Sequence, residues 1–494
     1  MGSKCEKSQT TKKDKSSHAP FEILNRYKSQ VKRFRQGKII GPMMSENAFS
    51  CQQLSAESIV QLAKMKLLEH TSQNTNELHP VIYPSLPYSN LSRQNLKDVQ
   101  LTFDLLNAAD KFSDKQFDCA EKLLTKCILL SSSADNNNPV ERVVKHFAEA
   151  LRERVEIERG KIDLERTTFN IEENVLSHQL IILECEQKLP SSQVTQFTAI
   201  QAILDSIGKS EKIHVIDIGI KSGQHWPIMM QGLANRKNCK LKLLKITAVG
   251  TSKDRLEETG KRLSSFAKSM NLPFLFKTVV SEIKDLRKET FLSQDDDEFV
   301  ALYSGIKLWS LLAWPNDLRT FLNFVKKLNP CVMVVNEVEA NTDTSIFIDR
   351  FYGALVFSLA TFDYLETCLT RDSKHREVVE GLFFGEMIRN IITAEDEERG
   401  HRNAKIGFWR DLFAEFDIVE TELSDSSLYQ ARLLIKRNPN WHSCTLHMDG
   451  KCMIVGWKGT PLQDSLWDEG KYLEVGGAFE PLESGRSLGV LGIP

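Results

Sequence analysis

"IHVIDIGIKSGQHWP", residues 213–227, decides the fold. Its first six residues are largely apolar and read as a strand with both faces buried. Asp217 stands near the strand's end, Gly219 and Gly223 follow in a D-x-G-x-x-x-G spacing, and Pro227 suits the first turn of a helix. A strand, a glycine-bearing turn and a helix are how nucleotide-binding folds begin. Glycine lets backbone N–H groups approach a ligand, and the helix N-terminus adds positive potential. Asp217, Gly219 and Gly223 are therefore the candidate cofactor-binding residues.

The residues around them argue against a cofactor. Lys221 stands where a methyltransferase-like turn carries another glycine, and His225 and Trp226 crowd the helix entrance. The second strand, "LKLLKITAV" (241–249), runs into Gly250, Thr251 and Ser252, with no acid for ribose hydroxyls. The next acid, Asp254, starts the following helix. The expectation is no cofactor, with Asp217 capping backbone amides and Trp226 packed in the core.

Outward from this stretch the period alternates between strand and helix. Further strands are expected at 274–280, 298–304 and 331–338, with helices at 227–236, 253–270 and 315–328. This is the βαβαβ rhythm of a mostly parallel sheet. Upstream the pattern is helical. "DNNNPVERVVKHFAEALRERVEIERG" places Asn138 at an N-cap, Pro139 at the first helical position and Glu141 at the capping-box position. Phe147 and Leu151 fall on its apolar face. A second helix covers 194–208 and ends at Gly208. Long helices follow at about 346–369 and 375–398, then a hairpin over "WHSCTLHMDGKCMIVGWKG" with Asp449-Gly450 as its two-residue turn. The expected fold class is α/β: a Rossmann-like, methyltransferase-like, mostly parallel sheet with an α-helical cap subdomain and a C-terminal antiparallel hairpin. The expected division is a largely disordered extension at 1–90 with one short helix at 55–70, a main domain at 91–467 and a tail at 468–494. Within the main domain, about 95–190 form the cap and 191–467 the α/β core.

The 494 residues are 41% hydrophobic with a net charge of −2, enough apolar material for a sizeable core and too little positive charge to coat nucleic acid. The ten cysteines contain no C-x-x-C pair, which suits a reducing compartment. The N-terminus is polar, without an apolar signal core, and no run approaches the ~18 apolar residues of a membrane helix. Gly2 and Cys5 resemble a myristoylation start only loosely. The basic clusters at 12–15 and 28–38 have the composition of nuclear import signals or of a solvated tail.

Other chemistry is sparse. No G-x-S-x-G, P-loop, H-E-x-x-H or EF-hand pattern is present, so no catalytic residue is assigned. His442, Cys444, His447 and Cys452 suggest a zinc site, but strand alternation puts Cys444 and His447 on opposite faces, and no metal is expected. With that turn, Cys452 pairs opposite His447. "EDEERGHR" (395–402) reads as a solvated charged face. "LWSLL" (308–312) has L-x-x-L-L spacing; on a helix Leu308, Leu311 and Leu312 share a face that either docks in a partner's groove or packs in the core.

The opening stretch with "IMMQGLANR" resembles the VHIID motif of the plant GRAS family. The likeness extends in order along the chain. "FDLLNAADKFSDKQFDCAEKLLTKCILL" and "PVERVVKHFAEALRERV" are similar to that family's first leucine-rich region, and "ITAVGTSKDRLEETGKRLSSFAKSMNLPFLF" to its second. "LNPCVMVVNEVEANTDTSIFIDRFYGALVFSLATFDYLE" resembles its PFYRE region, and "FWRDLF" with "CMIVGWKGTPLQDSLW" its SAW region. Departures are His225 where glutamine is usual, Ser345 in place of proline, and the absence of DELLA and TVHYNP segments from residues 1–90.

The resemblance implies a nuclear transcriptional regulator that is not an enzyme. It implies association with other GRAS proteins, as homo- or heterodimers, and with C2H2 zinc-finger or other DNA-binding transcription factors. Promoter contact would then be indirect. Phe147 and Leu151 join the three leucines as candidate partner-binding residues. His214, Asp217, Trp226, Arg350, Trp409, Trp457 and Trp467 are the motif residues expected to hold the scaffold. The alternatives are a ligand- or S-adenosylmethionine-binding enzyme or sensor, and direct sequence-specific DNA binding.

Overall fold

Six of the seven residues of β1 (Lys212–Ile218) are buried, because the strand lies mid-sheet with helices on both faces. It pairs in parallel with β2 (Leu243–Gly250) on one side and β4 (Phe299–Gly305) on the other. With β3 (Phe274–Val280), β5 (Val332–Val338), β6 (Cys444–Asp449), β7 (Cys452–Trp457) and β8 (Thr460–Glu469), the order is β3-β2-β1-β4-β5-β8-β7-β6. The first five strands are parallel; β8 joins β5 antiparallel and carries the hairpin to the far edge. The chain is thus Rossmann-like, and the strand order reverses between β1 and β4.

The computed structural model describes residues 54–74, 91–132, 138–162, 181, 185, 187–236, 239–291, 297–369 and 374–469. All fall in one compact unit, Ser50–Leu473. The expectations for Gly2, Cys5, the basic clusters at 12–15 and 28–38, and the tail from 470 lie outside these residues.

Helices α1 (Ala56–Asn74), α2 (Arg93–Ser113), α3 (Phe117–Ser131) and α4 (Pro139–Glu158) form the cap. Asn138 accepts from the Val140 N–H at 2.9 Å to start α4, and Pro139 takes the first turn. Helices α5 (Pro190–Ser206), α6 (Trp226–Ala234), α7 (Lys253–Ser269) and α8 (Pro315–Leu328) clothe the sheet. Helix α9 (Phe347–Cys368) is followed by α10 (Lys374–Val378), a π-helical turn (Val379–Gly385) and α11 (Glu386–Thr393). Helices α12 (Ile406–Ala414) and α13 (Asp425–Arg437) precede the hairpin. One apolar core joins Ile216, Leu302 and Val335 of the sheet to Phe321 of α8 and Trp409 of α12.

Four expectations change. The helix at 55–70 is not detached from the domain: α1 packs on α2 and α9, with Lys64 Nζ 4.8 Å from the Tyr352 ring. The cap is not confined to 95–190 either. Helices α9 and α11 pack on α4, and the Phe147 and Phe351 rings meet at 5.2 Å. The single helix expected at 375–398 is instead interrupted by the π-helical turn and stops at Thr393. Finally, Asp449 pairs with Cys452, so the hairpin turn is Gly450-Lys451. Gly450 has φ 60°, and the first central position of a type II′ turn selects glycine for that reason. His447 therefore lies opposite Ile454, not Cys452.

Candidate functional site

In open parallel sheets, ligands bind beyond the strand ends where the order reverses. Here that crevice is lined by Asp217 near the end of β1 with Gly219, Lys221, Ser222 and His225 after it, and by Tyr303 and Gly305 of β4 with Ile306 after it. Asn336 of β5, Gln463 of β8 and Ser192, Thr195 and Gln196 of α5 complete it. The sequence candidates Asp217, Gly219 and Gly223 do converge on this turn.

Side chains fill the space a cofactor would need. Gly219 has φ 82°, the backbone form a close ligand approach requires. Yet a Cβ placed on it would lie 2.9 Å from Lys307 Cγ, so the aliphatic stem of Lys307 covers the glycine. Gly223 (φ 61°) is backed by Thr259 and Leu263 of α7. Arg262 donates to the Ser222 carbonyl at 2.9 Å and ties the turn to that helix. The Trp226 indole is fully buried and donates to Asp217 Oδ2 at 2.8 Å, so Asp217 holds this ring rather than the backbone amides expected. The His225 ring lies tilted between Trp226 and Tyr303, with centroids at 4.6 and 4.9 Å. The crevice that remains has a volume of about 40 Å³. Small-molecule sites occupy roughly 300–1,000 Å³. With no acid after β2, these residues do not fit a dinucleotide or S-adenosylmethionine.

Sequence reasoning missed the acids behind the crevice. Glu337 is buried at the end of β5, and its Oε1 accepts the N–H groups of Lys307 and Leu308 at 2.9 and 2.7 Å. Burial pushes its carboxyl up to about 7, against the opposing effects of those N–H groups and of Lys221. Asp464 of β8 is also buried, and burial with the nearby Glu339 and Glu337 raises its carboxyl well above the usual range. Glu339 is raised by burial too, while its Oε2 accepts the Ile406 N–H at 2.8 Å. A polar Asn336-Glu337 pair in an otherwise apolar parallel strand was the available signal.

These shifts predict a pH dependence. Glu337 is protonated in the fold up to about pH 7, but in the unfolded chain only to about pH 4.5. Between those values the native state holds more protons, so stability falls as pH rises. Glu337→Gln removes this slope; the variant-minus-native difference grows to about 3 kcal/mol by pH 8. Urea denaturation at pH 4.5, 6 and 8 checks it, and parallel curves for the two proteins would refute it.

The candidate partner-binding residues lie elsewhere. Leu308, Leu311 and Leu312 are only 0, 7 and 5% exposed and belong to the apolar core beneath the sheet. Leu308 and Leu311 sit on a 3₁₀ turn, Leu308–Leu311, rather than an α-helix, and Leu312 follows it directly. Phe147 and Leu151 are fully buried between cap helices. None of the five offers side-chain surface to a partner. The charged 395–402 segment is not simply solvated: Arg399 is buried and donates to the Thr342, Asp343 and Thr344 carbonyls at 2.7, 3.0 and 3.1 Å. Burial beside Arg402 and Arg350 lowers its guanidinium to about 10. His401 stacks on Trp309 at 5.1 Å.

His214, Asp217, Trp226, Arg350, Trp409 and Trp457 are interior. His214 Nε2 lies 2.8 Å from Thr247 Oγ1. Arg350 donates to the Ser345 and Ile391 carbonyls at 3.0 and 3.2 Å and pairs with Glu395. Trp409 is buried in the core, and Trp457 donates to Asp363 Oδ2 at 2.6 Å. Trp467 lies on β8 opposite Val334. A larger, mostly apolar cavity of about 380 Å³ lies between α12 and the hairpin turn, lined by Phe413, Ile418 and Leu466. Arg410 and Glu420 on its rim pair with each other at 2.6 Å. Among the described residues no His, Cys, Asp or Glu group is arranged to hold a metal, and no helix is long and apolar enough to cross a membrane.

Comparison with known proteins gives a consistent picture. The model of the GRAS domain family matches residues 101–468. DELLA protein RGL1 of Arabidopsis thaliana is 29% identical, over 75% of this chain and 70% of that protein. Scarecrow-like protein 18 of Arabidopsis thaliana is 28% identical, over 72% of this chain and 88% of that protein. A crystal structure of SCL7 from Oryza sativa superposes with a TM-score of 0.64 at 27% identity, covering 74% of this chain and 99% of that one.

Proposed function

The chain belongs to the GRAS domain family, and from that premise we propose that it regulates transcription in the plant nucleus through protein association, without chemistry of its own. Its partners in this reading are other GRAS proteins and DNA-binding transcription factors such as C2H2 zinc-finger proteins, which bring it to promoters. The observation that carries the reading is the Lys307 stem lying over Gly219. The crevice where an open parallel sheet would hold a cofactor is occupied by side chains, which supports action through the outer surface. The near-zero net charge of −2 supports indirect rather than direct promoter contact.

The test is association and output together. The purified chain is expected to co-elute with a GRAS or C2H2 zinc-finger partner and to change reporter transcription in plant nuclei. A chain that elutes alone and leaves the reporter unchanged would reject the reading.

A further inference from the structure

The turn leaving β4 is held in a conformation its sequence disfavours. Ile306 has φ 52°, and a β-branched side chain in the left-handed region is sterically strained. Such strain persists only where the surroundings over-determine it. Here the Ile306 N–H donates to the Asn336 carbonyl at 2.7 Å. The next two amides, of Lys307 and Leu308, both donate to the same oxygen, Glu337 Oε1. Glu337 is 1% exposed, and its second oxygen has no hydrogen-bond partner among the described residues. One buried carboxyl therefore fixes two successive backbone groups immediately after a strained residue.

That turn also closes the crevice. Ile306 lines it, and the Lys307 stem covers Gly219. We propose that Gly305–Leu308 is a latch over the crevice, with Glu337 as its catch. When Glu337 releases the two amides, the strain at Ile306 relaxes, Lys307 lifts from Gly219 and the crevice opens. The latch is a conformational device of the α/β core, independent of the partners proposed above.

Hydrogen exchange on the full chain tests this, followed in peptides spanning 303–311 and 218–224. Glu337→Ala is expected to speed exchange about tenfold or more in both peptides while α8 and α12 keep their protection. Glu337→Gln, which keeps an acceptor oxygen, should stay near the native rates. Ile306→Gly relieves the strain and should slow exchange in the 303–311 peptide severalfold. Unchanged exchange in Glu337→Ala would overturn the latch, as would loosening of 303–311 with 218–224 still protected. Should Glu337→Ala fail to fold, Ile306→Gly decides: faster exchange at 303–311 contradicts the proposal.

Discussion

Leu312→Asp is expected to leave no folded protein at 37 °C. Leu312 is 5% exposed and sits with Leu308 and Leu311 in the core that joins α8 and α12 to the sheet. Truncating a buried leucine costs about 2–5 kcal/mol. An unpaired carboxylate in its place adds several more. The sum approaches the roughly 5–15 kcal/mol that holds an ordinary domain together. Circular dichroism and solubility measure the outcome, and Leu311→Asp should behave alike. A folded Leu312→Asp protein that has merely lost a partner would restore the docking reading of L-x-x-L-L and contradict the burial described here.

Arg142→Ala is the second large effect. Arg142 of α4 donates from Nε and Nη2 to the two Glu380 oxygens at 2.8 and 2.9 Å, and from Nη2 to Glu366 at 2.9 Å. Arg376 closes the network on Glu366 at 2.5 Å. The Arg142 and Glu380 side chains are 6 and 5% exposed, so the pair is desolvated and geometrically bidentate. Glu380 sits in the π-helical turn, and the bond fastens that turn to the cap. Removing Arg142 leaves a buried carboxylate with a weakened network, a change that costs about 3–5 kcal/mol. Burial already raises the Glu380 carboxyl, against the pull of Arg142. The loss should therefore be largest at neutral pH and shrink in acid, where Glu380 takes up a proton. Urea denaturation at two pH values reads both features. A cost below about 1 kcal/mol at pH 7 would show that the pair behaves like a surface ion pair.

What was legible in the sequence is what depends on neighbours in the chain. The strands from Ile213 to Val338 announce themselves by apolar runs, and the Gly219–Trp226 turn by glycine, proline and spacing. Asn138 and Pro139 mark a helix start for the same local reason. What was hidden depends on distant contacts. Lys307 covers Gly219 from 88 positions away (307 − 219), and no local pattern announces that. Arg142 meets Glu380 across 238 positions, where the helical period of α4 says only that the arginine lies near an apolar face. The leucines of 308–312 satisfy both a surface-motif spacing and a core spacing, and burial separates the two. Gly450 misled by one residue because two central-pair choices, Asp-Gly and Gly-Lys, both satisfy hairpin chemistry.

The filled crevice can be challenged directly by titrating S-adenosylmethionine and adenine dinucleotides into the purified chain in a calorimeter. The expected result is no saturable heat up to about 1 mM ligand, a bound of about −4 kcal/mol on any affinity. Saturable micromolar binding that disappears in Asp217→Ala would contradict it, and would place a working ligand site where Lys307, His225 and Trp226 now stand.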